Sequence, residues 1–367
     1  MLIDRRLVSH FDWTLLGIAV GLIFLGILTI YSATYSVTEH RASGLASKQF
    51  YWFLIGIGAM IAAATFDYHR VDRIAYPVYG VVLVLLAIVF FVGHSGGGSQ
   101  RWIHLGFFTL QPSELAKLAI VVALTKFLQY DEPPGGYRLR DLSMPFALAA
   151  PLIVLTLIQP DLGTAVILVV VFFSMILMGG LRLRSLLGLA AAGLTFMPIA
   201  YHFLKPYQRN RIWTFLNPDL DPLGAGYHVI QSKIAVGSGR FFGKGYLMGT
   251  QNRLDFLPAQ HTDFIFAVFA EEWGFIGCLI LLALYLALMI VALKIVARAK
   301  DRIGALLAFG VLSIFFWHVV INVAMVTGLM PVVGIPLPLL SYGGSSMVSM
   351  MVAMGLLINV SMRRFTF

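Results

Sequence analysis

Ten long apolar segments constrain the fold of this chain more than any other feature of its sequence. A helix of about 20 predominantly apolar residues is needed to cross the hydrocarbon core of a bilayer. Most of the segments approach that length, and only 12% of the residues are charged, against roughly 25% in soluble domains. The sequence therefore predicts an all-α, polytopic helical membrane protein with about ten transmembrane helices. The segments are 13–31, 50–66, 74–92, 115–128, 145–158, 162–178, 185–204, 264–292, 303–329 and 347–360.

Cysteine usage and charge distribution exclude several other classes of protein. The chain has one cysteine, Cys278, so it can form neither an internal disulfide nor a cysteine-based metal or redox centre. The net charge of +9 is scattered over many short loops instead of forming one basic stripe, which argues against nucleic acid as a partner. The sequence also lacks zinc-type clusters, nucleophile elbows and phosphate-binding glycine loops.

Lysine and arginine residues in the short loops predict the orientation of the spans. With the N-terminus in the cytoplasm, the cytoplasmic side receives most of these residues, as the positive-inside rule requires. Both termini are then cytoplasmic, and segment 205–262, between the seventh and eighth spans, is a large external loop. The short loops of the external side hold only Arg41, Lys48, Arg101 and, just inside a helix, Lys117.

The external segment 205–262 is rich in glycine, proline and aromatic residues. It is too apolar for a disordered linker, so we expect it to fold onto the bundle as part of one domain covering 1–367. Its basic residues suit phosphate or pyrophosphate headgroups, with anionic lipid as the alternative. These residues are Arg209, Arg211, Lys233, Arg240, Lys244 and Arg253.

Two polar segments open apolar helices with a proline followed by an acid. In 111–117, Glu114 lies in the first turn, where the helix dipole favours an anion, whereas Lys117 opposes that dipole. Lys117 therefore either neutralises Glu114 or meets an anionic ligand. In 159–164, Asp161 is either a structural helix cap or a ligand-binding group.

Two further polar segments point toward a site at the external helix ends. His261, Thr262 and Asp263 open the eighth span, with Thr262 as the expected N-cap, and Asp263 shares a face of small residues with Glu271. Both acids should point into the bundle or a wet cavity, since lipid cannot solvate them. Segment 336–345 is too rich in proline and glycine for a regular helix, so it is either a re-entrant turn or a ligand contact.

These segments together resemble the SEDS proteins (shape, elongation, division and sporulation) over nearly the whole chain. The resemblance is carried by Arg101-Trp102-Ile103 and by residues 111–117, 159–164, 261–272 and 338–345. Residues 221–235 and 243–251 resemble the members that act in cell elongation.

The resemblance implies a peptidoglycan glycosyltransferase of the bacterial cytoplasmic membrane with its active face outside. Its substrate would be lipid II, the undecaprenyl-pyrophosphate disaccharide-pentapeptide. Its partners would be a class B penicillin-binding protein with transpeptidase activity and the other proteins of the rod-shape elongation complex, besides membrane lipids. A divalent metal, Mg²⁺ or Mn²⁺, is compatible with this chemistry, and no organic cofactor is expected.

On this interpretation Asp263 is the general base of an inverting transfer. Lys117 and Arg101, together with Arg209 or Lys233, would bind pyrophosphate. Glu114 would orient Lys117 or join Asp263 at a metal. The remaining residues expected to bind substrate are Gln111, Asp161, His261, Glu271, Ser341 and Tyr342.

Two other functions fit the same residues. Buried Asp263, Glu271 and Lys117 could line the path of a lipid II flippase. The chain could also be a non-catalytic scaffold that activates a transpeptidase. The position of the ionisable residues at external helix ends favours the enzyme, because a flippase should carry comparable charges through the midplane.

Overall fold

The structure of the chain, a computed structural model, describes residues 11–36, 41–42, 44–92, 94–96, 99–104, 106, 108–131, 133–203, 206–217, 225–253 and 260–364. Each predicted apolar segment coincides with one helix, which confirms the predicted all-α, polytopic class. These helices are α1 (Trp13–Ala33), α2 (Leu45–Thr65), α3 (Val71–Val92), α4 (Pro112–Tyr130), α5 (Ser143–Ile158), α6 (Leu162–Met178), α7 (Leu183–Phe203), α11 (Ile265–Ala297), α12 (Arg302–Val326) and α13 (Gly344–Arg363).

The smaller elements lie between the long helices. The described residues of segment 205–262 form three helices, and short 3₁₀ turns precede α3 and α5. Two small antiparallel sheets, β1–β2 and β3–β4–β5, connect helix ends. The elements are α8 (Pro206–Leu216), α9 (Ala225–Ser238), α10 (Thr250–Arg253), the 3₁₀ turns Tyr68–Arg70 and Leu139–Leu142, and β1 (Tyr35–Ser36), β2 (Arg41–Ala42), β3 (His94–Gly96), β4 (Ser99–His104) and β5 (Thr109–Leu110).

Seven of the described helices are long and apolar enough to cross a membrane by length and composition. They are α1, α2, α3, α5, α11, α12 and α13, where the apolar stretches of α3 and α5 include the preceding 3₁₀ turns. Helix α6 and the first part of α7, Leu183–Thr195, are shorter apolar helices, and α4 contains Glu114, Lys117 and Lys126. The predicted count of about ten crossings and the cytoplasmic termini stay predictions.

Helices α4, α12 and α13 form the centre of the bundle. Of the most apolar windows of the spans, 67% of the residues in α12 and 78% in α13 are buried, against 22% in α2. Helix α13 packs closely along α2, where a Cβ at Gly355 would lie 2.4 Å from the carbonyl oxygen of Met60. Small residues allow such close backbone approach between membrane helices. The outer helices therefore face lipid and the central ones carry the buried polar groups.

Helix α11 is broken inside its apolar length. Gly274 adopts φ 64° and ψ −165°, a conformation that only glycine takes readily. Backbone groups of residues 239–245 bind the groups freed by this break. Lys244 N donates to Glu271 O at 3.0 Å, and Phe275 N donates to Arg240 O at 2.8 Å. This part of segment 205–262 therefore lies against the span, and the broken helix keeps its backbone satisfied.

Helix α9 also lies against the bundle. Val229, Ser232 and Ala235 on one face of α9 are buried, and Ser232 Oγ donates to Val326 O at the end of α12 at 2.7 Å. The described part of the long loop is thus folded onto the helices, next to the turn that precedes α11.

The predicted orientation can be measured with single cysteines introduced into a Cys278→Ser background. Leu329 follows α12 and is 74% exposed, and Leu139 precedes α5 and is 50% exposed. We expect a membrane-impermeant maleimide to label Leu329→Cys in intact cells and Leu139→Cys only after permeabilisation, because the positive-inside rule places them on opposite sides. The opposite labelling pattern would refute cytoplasmic termini.

Candidate active site

Asp263 lies in the turn that precedes α11. The helix begins at Ile265 with Phe264 as its N-cap, and no side chain caps it. The expected role of Thr262 as N-cap was therefore wrong, because residues 260–264 form a turn and the helix begins only at Ile265. The Thr262 carbonyl oxygen accepts a hydrogen bond from Ser341 Oγ at 2.7 Å, so a neighbouring segment holds the turn.

That neighbouring segment is residues 336–343, which form an irregular turn between α12 and α13. Ser341 Oγ accepts from Leu337 N at 2.8 Å, and Tyr342 N donates to His261 O at 2.9 Å. The rings of Tyr342 and His261 meet edge to face at 5.8 Å. The predicted residues His261, Ser341 and Tyr342 are therefore brought together beside Asp263, and each makes structural contacts there.

Asn322 of α12 fixes the same turn from the other side. Its Nδ2 donates to Asp263 O at 2.9 Å and to Ile335 O at 2.6 Å. Asn322 is fully buried, and its Oδ1 has no partner among the described residues. The sequence analysis missed Asn322, although an amide within the apolar segment 303–329 was a visible signal.

The environment of the Asp263 carboxyl group favours its neutral form. Burial raises its pKa, the guanidinium groups of Arg101 and Arg211 lower it and the Asp161 carboxylate raises it, and the balance is a pKa of about 6. Among the described residues no side chain or amide donates a hydrogen bond to this carboxylate. An acid with a pKa near 6 and unpaired oxygens is suited to accept a proton at neutral pH.

Asp161 is the centre of a second polar group. It caps α6 by accepting from Thr164 N at 3.3 Å, and it also accepts from Ser113 Oγ at 2.8 Å and Gln111 Nε2 at 3.1 Å. Asp161 thus serves as the structural cap, one of the two roles left open for it. It joins the starts of α4 and α6.

Close backbone contacts connect this second group to Asp263. A Cβ at Gly163 would lie 2.7 Å from Gly334 O, and a Cβ at Gly334 would lie 3.2 Å from Asp263 Oδ2. The start of α6 and the Asp263 carboxylate therefore lie on either side of Gly334. Residues that are far apart in the sequence form one site.

Arg101 extends from β4 to the hairpin between α5 and α6. Its Nε donates to Gln159 O at 3.3 Å, its Nη2 donates to Pro160 O, and its Nη1 lies 3.7 Å from Asp161 Oδ1. The side chain is 28% exposed. Arg101 thus reaches the site already partly committed to protein groups, and its binding to a ligand stays a prediction.

Lys117 and Glu114 form a buried ion pair. Lys117 Nζ lies 2.8 Å from Glu114 Oε2 and 3.0 Å from His318 Nε2. The side chains of Lys117 and Glu114 are 2% and 4% exposed. Lys117 is therefore paired with Glu114, and its contact with an anionic ligand stays a prediction. Among the described residues these two partners leave one N–H of Lys117 unused.

Glu271 lies in a different cluster. Its carboxylate accepts from Lys244 Nζ at 2.6 Å, Thr250 N at 2.9 Å and Gln251 N at 3.2 Å. It is fully buried, as expected for an acid that avoids lipid, but its partners belong to the loop before α11. These contacts bind the loop before α11 to the broken helix, and they occupy the Glu271 carboxylate with donors from the protein.

The remaining basic residues of the long loop lie in different places. Arg209 donates to His202 O and stacks over Tyr201 at 5.3 Å on α7. The side chain of Lys233 covers Gly328 beyond the end of α12. Arg211 of α8 is the loop cation whose charge acts on Asp263, and the basic composition of the loop gave no signal to single it out.

An apolar groove lies beside this site. Its volume is about 620 Å³, and Tyr342 and Ser345 form the part nearest to the turn of Asp263. Ser345 Oγ in turn accepts from Gln111 N at 3.1 Å. The groove is lined by Lys48, Tyr51, Trp52, Ile55, Gly106, Phe108, Thr109, Leu110, Leu115, Tyr342, Ser345, Val348 and Ser349.

The described residues contain no group of three or more His, Cys, Asp or Glu side chains placed to share one metal ion. Glu114 is paired with Lys117, whereas the Asp263 carboxylate forms no ion pair within 4 Å among the described residues. These residues fit a divalent ion only as magnesium is often held, by one carboxylate together with phosphate oxygens of a substrate.

Comparison with known proteins identifies the relatives of this chain. Residues 12–365 match the cell cycle protein family of FtsW, RodA and SpoVE. The chain is 40% identical over 357 residues to peptidoglycan glycosyltransferase MrdB of Escherichia coli K12, covering 97% of this chain and 94% of that protein. It is 35% identical over 432 residues to peptidoglycan glycosyltransferase RodA of Treponema pallidum, covering 98% and 99%.

Solved structures share the same fold. A chain of a peptidoglycan synthase complex that coordinates polymerization and crosslinking matches with a TM-score of 0.83 at 32% identity, covering 97% of this chain and 99% of that one. The rod shape determining protein RodA of Thermus thermophilus matches with a TM-score of 0.72 at 29% identity, covering 97% and 98%. Fold and site define a helical membrane protein with a half-buried acid at the ends of its spans. The chain belongs to the FtsW, RodA and SpoVE family, and the resemblance to SEDS proteins is confirmed.

The separate position of Glu271 leads to a prediction. Glu271→Gln should lower stability by about 1–3 kcal/mol, because a buried network of hydrogen bonds loses its charged acceptor. Catalytic rate per folded molecule should stay near that of the wild type. Thermal unfolding in detergent and activity normalised to folded protein test this, with Asp131→Asn, outside the cluster, as the control. A large loss of rate at unchanged stability would place Glu271 in the site.

Proposed function

We propose that this chain is a peptidoglycan glycosyltransferase that polymerises lipid II, with Asp263 as its general base. The enzyme class is the one named for its curated relatives MrdB and RodA. The observation that carries the proposal for the site is the Asp263 carboxylate, which has a pKa of about 6 and is flanked by Arg101 and Arg211. A poised base next to cations is what transfer from a sugar pyrophosphate requires.

The proposed reaction joins two lipid-linked sugars. The 4-hydroxyl oxygen of the acceptor sugar forms a bond to the anomeric carbon of the donor, and the bond from that carbon to the pyrophosphate oxygen breaks. Asp263 takes the hydroxyl proton, and the lipid pyrophosphate leaves with the electron pair of the broken bond. An α-linked donor then gives a β-linked product in one displacement, which needs one base and no covalent enzyme intermediate.

Cations near the base would stabilise the departing pyrophosphate. Arg101 and Arg211 are close enough to Asp263 to lower its pKa, and an arginine fork suits phosphate oxygens. Among the described residues one N–H of Lys117 has no acceptor. The side chain is only 2% exposed, so an anion reaches it only when neighbouring groups move. We therefore assign the first contacts to the two arginines and a supporting charge to Lys117.

The apolar groove offers a place for the lipid part of the substrate. It holds about 620 Å³ and is lined by aromatic and aliphatic side chains, including Trp52, Phe108 and Leu115. Tyr342, at its end, is bonded through its amide to His261 O in the turn of Asp263. A prenyl chain in this groove would bring its pyrophosphate to the base.

A divalent metal is the second way in which Asp263 could act. Mg²⁺ or Mn²⁺ bound to Asp263 and to substrate pyrophosphate would neutralise charge on the leaving group. Glu114 is the less suitable ligand, because Lys117 already occupies its carboxylate. The reaction should therefore be measured with each metal and with EDTA.

The chain would work with a partner in the bacterial envelope. Its structural relative belongs to a complex that polymerises and crosslinks peptidoglycan, which supports a synthase partner. We propose that this partner is a class B penicillin-binding protein of the elongation complex. The active face would be extracytoplasmic, since the positive-inside rule places the Asp263 turn outside.

Two rival functions give different results in one experiment. Purified chain is incubated with labelled lipid II, and glycan polymer is measured, with and without its transpeptidase partner. Polymer formed by the wild type supports the enzyme. Movement of lipid II across vesicles without polymer would indicate a flippase. A chain that gives neither polymer nor movement but activates the transpeptidase partner would indicate a scaffold.

Replacing the base should abolish the reaction without unfolding the chain. We expect Asp263→Asn to lower the polymerisation rate by about 100-fold or more, which is the usual contribution of a general base. Thermal stability and binding of the partner should be unchanged. Asp131→Asn, an amide substitution outside the site, is the matched control. A normal rate in the Asp263→Asn protein would remove Asp263 from this role.

The raised pKa of Asp263 gives the reaction a defined pH dependence. The carboxyl group is protonated below its pKa of about 6 and ionised above it, so kcat/KM should rise with pH and level off above neutrality. At pH 5 it should fall to about a tenth of the plateau. Initial rates from pH 5 to pH 8 test this. A flat profile through pH 6 would contradict proton transfer to Asp263.

A further inference from the structure

His318 of α12 is an ionisable side chain in the centre of the bundle that none of the roles assigned above uses. It is 1% exposed, and it lies in a helix that is otherwise largely apolar. Polar residues at such depth are costly unless they are bonded, so their partners reveal what they do.

The partners of His318 fix its protonation. Its Nδ1 lies 2.8 Å from Ile314 O, which can only accept, so Nδ1 carries the hydrogen. Its Nε2 lies 3.0 Å from the ammonium group of Lys117, which can only donate. The ring is therefore a neutral imidazole whose free lone pair faces the ammonium.

His318 lies on the same face of α12 as Asn322, one helical turn before it. Asn322 Nδ2 holds the main chain of Asp263 at 2.9 Å. The face of α12 that carries His318 and Asn322 thus contacts both the Lys117 ammonium of α4 and the Asp263 turn. A change at His318 therefore alters the position of Lys117 relative to Asp263.

We propose that His318 is a positioning residue for glycosyl transfer, and that its imidazole holds the Lys117 ammonium in place beneath the site. The inference rests on the proposed function, because it assigns Lys117 a charge that supports the departing pyrophosphate. Glu114 supplies the countercharge to the Lys117 ammonium. His318 supplies a neutral acceptor that orients the ammonium without adding a second negative charge. A second carboxylate in its place would cancel the charge instead.

The matched variants are His318→Gln and His318→Met. Their side chains are similar in volume, but glutamine keeps a strong neutral acceptor, whereas the methionine sulfur is only a weak one. We expect His318→Met to lower kcat per folded molecule by about 10-fold to 100-fold, as small misplacements of charged groups do. KM for lipid II should change little, and His318→Gln should restore most of the rate. Ser313→Ala is the control and should act as wild type, because Ser313 lies on the same helix and among the described residues its hydroxyl bonds only to Gly310 O.

The result separates positioning from simple packing. If His318 only stabilises the fold, His318→Met lowers thermal stability while each folded molecule keeps the wild-type kcat, and the proposal is overturned. It is also overturned if His318→Gln is as slow as His318→Met. Should His318→Met not fold, His318→Asn, whose acceptor is too short to reach Lys117, takes its place with the same two outcomes.

The same measurements keep the two proposals apart. A wild-type chain that makes no polymer with its partner present contradicts the glycosyltransferase function itself. A wild type that polymerises lipid II while the His318→Met and His318→Gln proteins keep equal, wild-type rates contradicts only the role of His318.

Discussion

Polar groups enclosed in an apolar bundle must find their partners within the protein, because lipid offers neither donors nor acceptors. The arrangement at the ends of α4, α6, α11 and α12 follows from this constraint. Asp161 collects donors from two helix starts, and Lys117 takes one carboxylate and one imidazole. Asn322 uses both of its amide hydrogens on carbonyl groups. Against this background the Asp263 carboxylate, which accepts no hydrogen bond from the described residues, is a group available for chemistry.

The same constraint explains why the site is built from segments far apart in the sequence. Irregular backbone at the ends of the spans cannot satisfy itself, so the Asp263 turn and segment 336–343 bind each other through Ser341 and Tyr342. This mutual support places Asp263, two arginines and an apolar groove side by side. The need to satisfy irregular backbone within the bundle thus also builds the candidate site.

Sequence reasoning located the helices because apolar length is a strong local signal, and it found Asp263 because an acid above a face of small residues cannot face lipid. It grouped His261, Asp161, Ser341 and Gln111 with Asp263 correctly in space. It could not see that Glu271 turns to Lys244, since that depends on the break at Gly274 and on a distant loop. The contact of His318 with Lys117 and the effect of Arg211 on Asp263 depend on neighbours that only folding brings together.

The break in α11 also bears on how the chain assembles. Residues 239–245 supply the hydrogen-bond partners that the helix lacks around Gly274, and they come earlier in the chain than the span they complete. During synthesis the partner segment is therefore already present when the broken span emerges. A chain order that reversed the two would expose unsatisfied backbone to lipid during insertion. The order of the segments thus suits co-translational assembly, and it links the folding of residues 239–245 to that of the helix that follows the Asp263 turn.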